Sequence, residues 1–121
     1  MKRDMALIRK IVLAIEENPS GWAPDPLEIE GYTSEQIRYH NYLLMQAGLA
    51  EGREIQVFDI TSPAAILTNL TWAGHEFADA ARDDTRWKKA MEVVHQKGGA
   101  ITLSVLTELL KALMRNTFGL P

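Results

Sequence analysis

The chain of 121 residues contains no cysteine, which removes disulfides and every thiolate-based zinc or redox centre from consideration. It has no apolar run long enough to cross a bilayer. Its start alternates charge with hydrophobe (Lys2, Arg3, Asp4, then Arg9 and Lys10) and builds no signal sequence. These absences point to a cytoplasmic protein with no membrane contact. Glycine is scattered: the eight glycines stand at element ends and form no phosphate-cradling loop, and no Gly-x-Ser-x-Gly elbow occurs. Positive charge is also short, with 13 basic against 16 acidic side chains and a net charge of −3. The deficit is uneven. Residues 1–60 hold six basic and ten acidic side chains, whereas residues 61–121 hold seven and six. Phosphate neutralisation supplies most of the affinity of a nucleic-acid binder, so an acidic first half weighs against that role unless a local patch exists.

What is present is a globular composition. Hydrophobic residues make up 46% and charged residues 24%, enough to bury a core and too apolar for disorder. Residues 3–17 form an amphipathic helix in which Met5, Ile8, Ile11, Val12 and Ile15 recur at three- and four-residue intervals. Asn18-Pro19-Ser20-Gly21 ends it, and Pro24 and Pro26 keep the following connection extended. Leu27-Glu28-Ile29-Glu30 alternates apolar and acidic residues, which predicts one short strand.

A second helix is expected from about Ser34 to Ala47, capped by Thr33 or Ser34 and closed by Gly48. With residues about 100° apart around the axis, Ile37, His40, Leu43, Leu44 and Ala47 share one face. Glu35, Arg38, Tyr42, Met45 and Gln46 fall opposite, with Tyr39 and Asn41 on the flanks. Strands through Glu54–Phe58 and Ile66–Leu70 would make a hairpin around a turn carrying Ser62-Pro63. Thr71 caps a third helix, and Arg82-Asp83-Asp84-Thr85 offers a new N-cap that predicts a break before the helix continues to about His95. After Lys97-Gly98-Gly99, Thr102 caps a last helix to about Arg115 that carries seven large hydrophobes in twelve residues. That is more than one narrow stripe needs.

Helix, short strand, helix, hairpin, helix is the order of a winged-helix domain. The run from Tyr39 to Leu49, ending Ala47-Gly48-Leu49, resembles the end of a winged-helix recognition helix. Leu70-Thr71-Trp72-Ala73-Gly74 resembles the Leu-Thr-x-x-Gly found where the wing returns to a helix in bacterial regulators. Over nearly its whole length the chain resembles an uncharacterised bacterial and prophage-associated family, a domain of unknown function. The matching segments are Met1–Arg9, Gly31–Leu49 and Leu70–Trp87. It also resembles, more remotely, the small YjcQ-like winged-helix proteins. The resemblance implies a fold and a bacterial or phage origin, and no functional residues. The expected architecture is therefore mainly α with a small antiparallel β wing (α+β). Residues 1–82 would form the winged-helix domain and residues 83–121 a helical extension packed on it, one compact domain in all. One departure stands out: the interval Asn18–Tyr32, with three prolines and two glycines, leaves little room for the supporting helix of a helix-turn-helix.

Among the candidate site residues, Arg38, Asn41 and Tyr42 suit guanine or phosphate, adenine, and phosphate respectively, and Arg53 could add a backbone contact. An ordinary solvated helix face explains them equally well. His40, on the apolar face, reads as a packed, hydrogen-bonded histidine. His75-Glu76 lacks the second histidine of a zincin helix, and His40, His75 and His95 have no metal spacing. Glu76, Asp79, Asp83 and Asp84 are interleaved with Arg82, Arg86, Lys88 and Lys89, so pairing and capping account for them. Trp72 and Trp87 read as anchors of the later helices. With no catalytic constellation present, the expectation is no enzyme, no metal and no cofactor. Two roles remain. One is a double-stranded DNA binder, a phage or mobile-element regulator dimerising through Leu106, Leu109, Leu110 and Leu113. The other is a protein-interaction module that keeps the fold without DNA contact, favoured by the acidic first half.

Overall fold

The computed structural model describes residues 1–121. Five helices and one two-stranded antiparallel sheet follow in the order α1 (Met5–Glu17), α2 (Ser34–Gln46), β1 (Ala50–Ile55), β2 (Ala64–Leu70), α3 (Trp72–Ala81), α4 (Asp84–Gln96) and α5 (Leu103–Thr117). The protein is mainly helical, of the α+β class. Contacts divide it into two units, Met1–Ala78 and Asp79–Pro121.

In the first unit each helix starts where its sequence supplies a cap. The Asp4 carboxylate accepts from Leu7 N–H at 3.1 Å to begin α1, and Leu7, Ile8, Ile11, Val12 and Ile15 form its buried stripe. Thr33 and Gln36 close a reciprocal capping box on α2, each side chain bonded to the other's backbone N–H. The buried residues of α2 are Ile37, His40, Asn41 and Leu44. Their i, i+3, i+4, i+7 spacing is that of a single inward stripe. Asn41 is therefore on the core side of the helix, where its polar character disguised it in the sequence.

The hairpin differs in extent from the expected one. Strand β1 begins at Ala50 and ends at Ile55, so Gln56–Phe58 belong to the connecting loop, and β2 begins two residues early at Ala64. A register shift between Glu51 and Gly52 marks a bulge. A side chain at Gly52 would collide with the Ile66 carbonyl, so glycine is required by the close strand approach. The strand expected at Leu27–Glu30 does not form. The backbone bond to β2 is made upstream, by Ala23 N–H to the Thr68 carbonyl at 2.8 Å, and Pro24 and Pro26, which lack an N–H, follow it where a ladder would have to continue.

The two short motifs singled out in the sequence clasp each other. Thr71 donates its hydroxyl to the Gly48 carbonyl at 2.6 Å and accepts from Gly74 N–H at 3.1 Å, while Thr71 N–H bonds the Leu49 carbonyl at 3.0 Å. Gly48 adopts a positive φ of 76°, the left-handed conformation that closes α2. A Cβ on Gly74 would fall on the Leu49 carbonyl, so α3 can approach the turn only through a glycine. Trp72, on the solvent side of this junction, is 81% exposed and anchors nothing, contrary to expectation. Nothing at Trp72 matches the helical period of the buried residues Phe77, Ala78, Ala80 and Ala81.

In the second unit the break falls at Asp83, whose carboxylate caps α4 by accepting from Arg86 N–H at 2.7 Å. Arg86 itself donates to the carbonyls of Asp79 and Ala80, the open C-terminal end of α3. Gly98 and Gly99, both at positive φ, separate α4 from α5, and Thr102 caps α5.

Candidate functional site

One of the proposed contact residues is not on the surface. Arg38 and Tyr42 are half-buried and lie one turn apart on the outer side of α2, and Arg53 is exposed on β1. Asn41 is only 5% exposed and donates Nδ2–H to the Ala65 carbonyl at 3.2 Å. A side chain held there cannot reach a base edge, so Asn41 is removed from the set. Around the remaining cations the surface is committed elsewhere. Tyr42 accepts at its phenol oxygen from Gln46 at 2.8 Å, and Glu35 accepts from the Ser62 hydroxyl in the hairpin loop. Glu51 and Glu54 are exposed beside Arg53 on β1, and Asp59 in the loop adds a further negative charge.

His40 is the packed histidine anticipated from its face, 1% exposed. Its Nε2 accepts from Asp4 N–H at 2.8 Å, which places the ring proton on Nδ1 to donate to the Gln36 carbonyl at 2.7 Å. The Tyr32 hydroxyl donates to the other oxygen of Asp4 at 3.2 Å, and the Lys10 ammonium sits 5.3 Å from the Tyr32 ring centre. Burial first, then the negative charge and hydrogen bond of Asp4, push the Tyr32 phenol above its ordinary value of 10.0. Asp4, Tyr32 and His40 thus tie the start of α1 to α2 as a structural node. No signal in the sequence linked Asp4 to His40, which lie 36 residues apart.

The leucines assigned to an oligomer interface divide into two kinds. Leu106 and Leu110 are fully buried, so they cannot present a surface to another chain, and that assignment is corrected for both. Leu109 and Leu113 are half-buried. The larger exposed hydrophobes of α5 and its end are Val105, Phe118 and Leu120. The surplus of apolar residues noticed in α5 is therefore partly interior.

Sequence reasoning missed the most conspicuous exposed aromatics. Trp22 is 63% exposed and lines an open groove with Ser20, Glu51, Asn69 and His75. His75 Nδ1 lies 3.2 Å from the Glu16 carboxylate, and Trp72 stands one turn before His75 on α3. Phe58, in the hairpin loop, is 90% exposed. The only signal available in the sequence was that Trp22 and Trp72 fall outside every apolar stripe. No helix is long and apolar enough to cross a membrane.

The geometry defines a small helical protein with one antiparallel hairpin and two tryptophans in solvent. Residues 2–100 match the family described as "Hypothetical protein (DUF2513)", and the chain belongs to that family. A protein of Haemophilus influenzae named "Uncharacterized protein" is 32% identical over 117 residues, covering 94% of this chain and 96% of its own length. No solved structure matches the chain.

Proposed function

We propose that Met1–Ala78 is a winged-helix unit whose working surface is the groove lined by Trp22, Glu51 and His75, with Trp72 one turn before His75 on α3, and that it takes a basic segment of a protein partner. Support for the winged-helix assignment comes from the element order and from the Ala23–Thr68 bond. That bond occupies the place of the short strand beside the second hairpin strand. The observation that carries the functional reading is the pairing of two solvent-exposed tryptophans with a strongly acidic unit. Met1–Ala78 holds six basic and eleven acidic side chains, a net charge of −5. Tryptophan is enriched among residues that dominate interface energetics, and its ring face attracts lysine and arginine. Glu51 and Glu16 beside the groove add the complementary charge.

A second reading, duplex DNA held by α2 and the hairpin, is favoured by Arg38, Tyr42 and Arg53 on the elements that a winged helix uses. It must overcome the net charge of the unit and the loss of Asn41. The two readings separate in a single fluorescence titration series. The probes are a lysine- and arginine-rich peptide with interspersed leucines, its glutamate counterpart, and random-sequence duplex DNA, each at low and moderate salt. Binding of the basic peptide alone, abolished by Trp22→Ala and Trp72→Ala, supports the protein-partner reading. Salt-sensitive binding of duplex that depends on Arg38 and Arg53, with the tryptophan variants unaffected, overturns it.

A further inference from the structure

Strand β1 is hydrogen-bonded on one side alone, since the sheet has two strands and β1 pairs only with β2. Backbone groups along an antiparallel strand point alternately to its two sides. The Leu49 carbonyl accepts from Thr71 N–H and the Glu51 carbonyl from the Thr68 hydroxyl, so Leu49, Glu51 and Arg53 face β2. Gly52 and Glu54 therefore turn their N–H and C=O away from β2, and no group of the chain bonds them there. Gly52 is half-buried and Glu54 exposed, which leaves this edge open to another strand. The side chains along it carry both signs. Glu51 and Arg53 share the solvent face of the hairpin, both exposed, and no ion pair within the chain engages the Arg53 guanidinium.

We infer that the free edge of β1 joins two copies of this chain, as one continuous antiparallel sheet with its two-fold axis at Gly52. In that register Gly52 exchanges both backbone bonds with Gly52 of the second copy. Glu51 then stands opposite Arg53 of the second copy, and Arg53 opposite its Glu51, in the closely spaced pairs that flank the bonded one. Charge selects this register. A two-fold at Glu51, Arg53 or Glu54 would set that residue against its own copy, like charge against like. A two-fold between residues would oppose backbone groups that face outward to groups that face β2. The alternation of Glu51 and Arg53 is thus complementary to itself about Gly52, which is the property an isologous contact requires. A pairing along one short strand buries little area, so the dimer is a reversible one. The inference does not rest on what the Trp22 groove takes, although Glu51 borders both surfaces.

The test is sedimentation equilibrium of the full chain at low salt, alone and with charge reversals at these two exposed positions. The parent should show a monomer–dimer equilibrium below about 1 mM. Glu51→Arg and Arg53→Glu should each weaken it at least about tenfold. Mixing the two variants should restore the dimer, because each supplies the charges that the other lacks, and so should both substitutions in one chain. Hydrogen exchange at the Gly52 amide should slow as the parent is concentrated. A parent that stays monomeric to about 1 mM overturns the interface. So does a dimer that either single reversal leaves intact, or one that Phe118→Ala, at an exposed position outside the sheet, abolishes. Failure of the two reversed variants to associate with each other overturns the register.

Discussion

The two units of the chain solve the same problem with different materials. Met1–Ala78 buries long aliphatic stripes from α1 and α2, and it stitches its polar groups inward through Asp4, Tyr32, His40 and Asn41. Asp79–Pro121 holds a smaller set of buried side chains, among them Trp87, Val94, Leu106 and Leu110, and spends its polar groups on helix ends. Their charges are opposite: the second unit holds seven basic and five acidic side chains against six and eleven in the first. A single net charge of −3 for the chain conceals this. Local charge, not the total, decides which partner each unit suits.

The largest effects should come from the buried aliphatics. Leu44→Ala and Leu106→Ala each remove a side chain that is fully buried, and each should cost about 2–5 kcal/mol in chemical denaturation. If Leu106→Ala instead left stability intact and changed the oligomeric state, the assignment of that leucine to the interior would fail. His40→Ala should follow at about 2 kcal/mol, because it opens a gap and strips the Asp4 N–H of its acceptor. Hydrogen exchange should show the loss concentrated at the start of α1.

Tyr32→Phe sharpens the comparison through pH. The folded-state value of the phenol is raised, so its contribution is fully present below pH 10 and is lost as pH climbs through the folded value. The phenylalanine variant should be about 1 kcal/mol less stable at neutral pH and should lose less stability than the parent in alkaline titration. An equal alkaline loss in both proteins would show that Tyr32 is not the group responsible. Smallest in stability is Trp72→Ala, expected within about 0.5 kcal/mol because the ring is in solvent.

Much of this architecture was legible in the sequence because the local signals agree with the global fold. Asp83 restarts a helix, Gly98-Gly99 stops one, and Leu70-Thr71-x-x-Gly74 stands where β2 gives way to α3. The misreadings have physical causes. Leu27–Glu30 alternates like a strand, but the backbone bond to β2 falls at Ala23, ahead of Pro24 and Pro26, and the alternating residues themselves pair with no strand. Asn41 sits at a core position of α2, yet a polar residue there is invisible to a hydrophobic-periodicity argument until its partner, the Ala65 carbonyl, is known. Leu106 and Leu110 have the same chemistry whether they face their own unit or another chain; only burial distinguishes them. Exposure of Trp22 and Trp72 is likewise a tertiary fact, since large apolar side chains are ordinarily assumed to be inside.

The central claim is that the acidic, tryptophan-edged surface of Met1–Ala78 meets a basic protein segment. The most direct measurement is the affinity of the full chain for the lysine- and arginine-rich peptide and for random duplex DNA at low salt, repeated with Trp22→Ala. Binding of the peptide, lost with Trp22 and without measurable duplex affinity, is the result expected. Salt-sensitive duplex binding, with peptide binding absent or indifferent to Trp22, would contradict it.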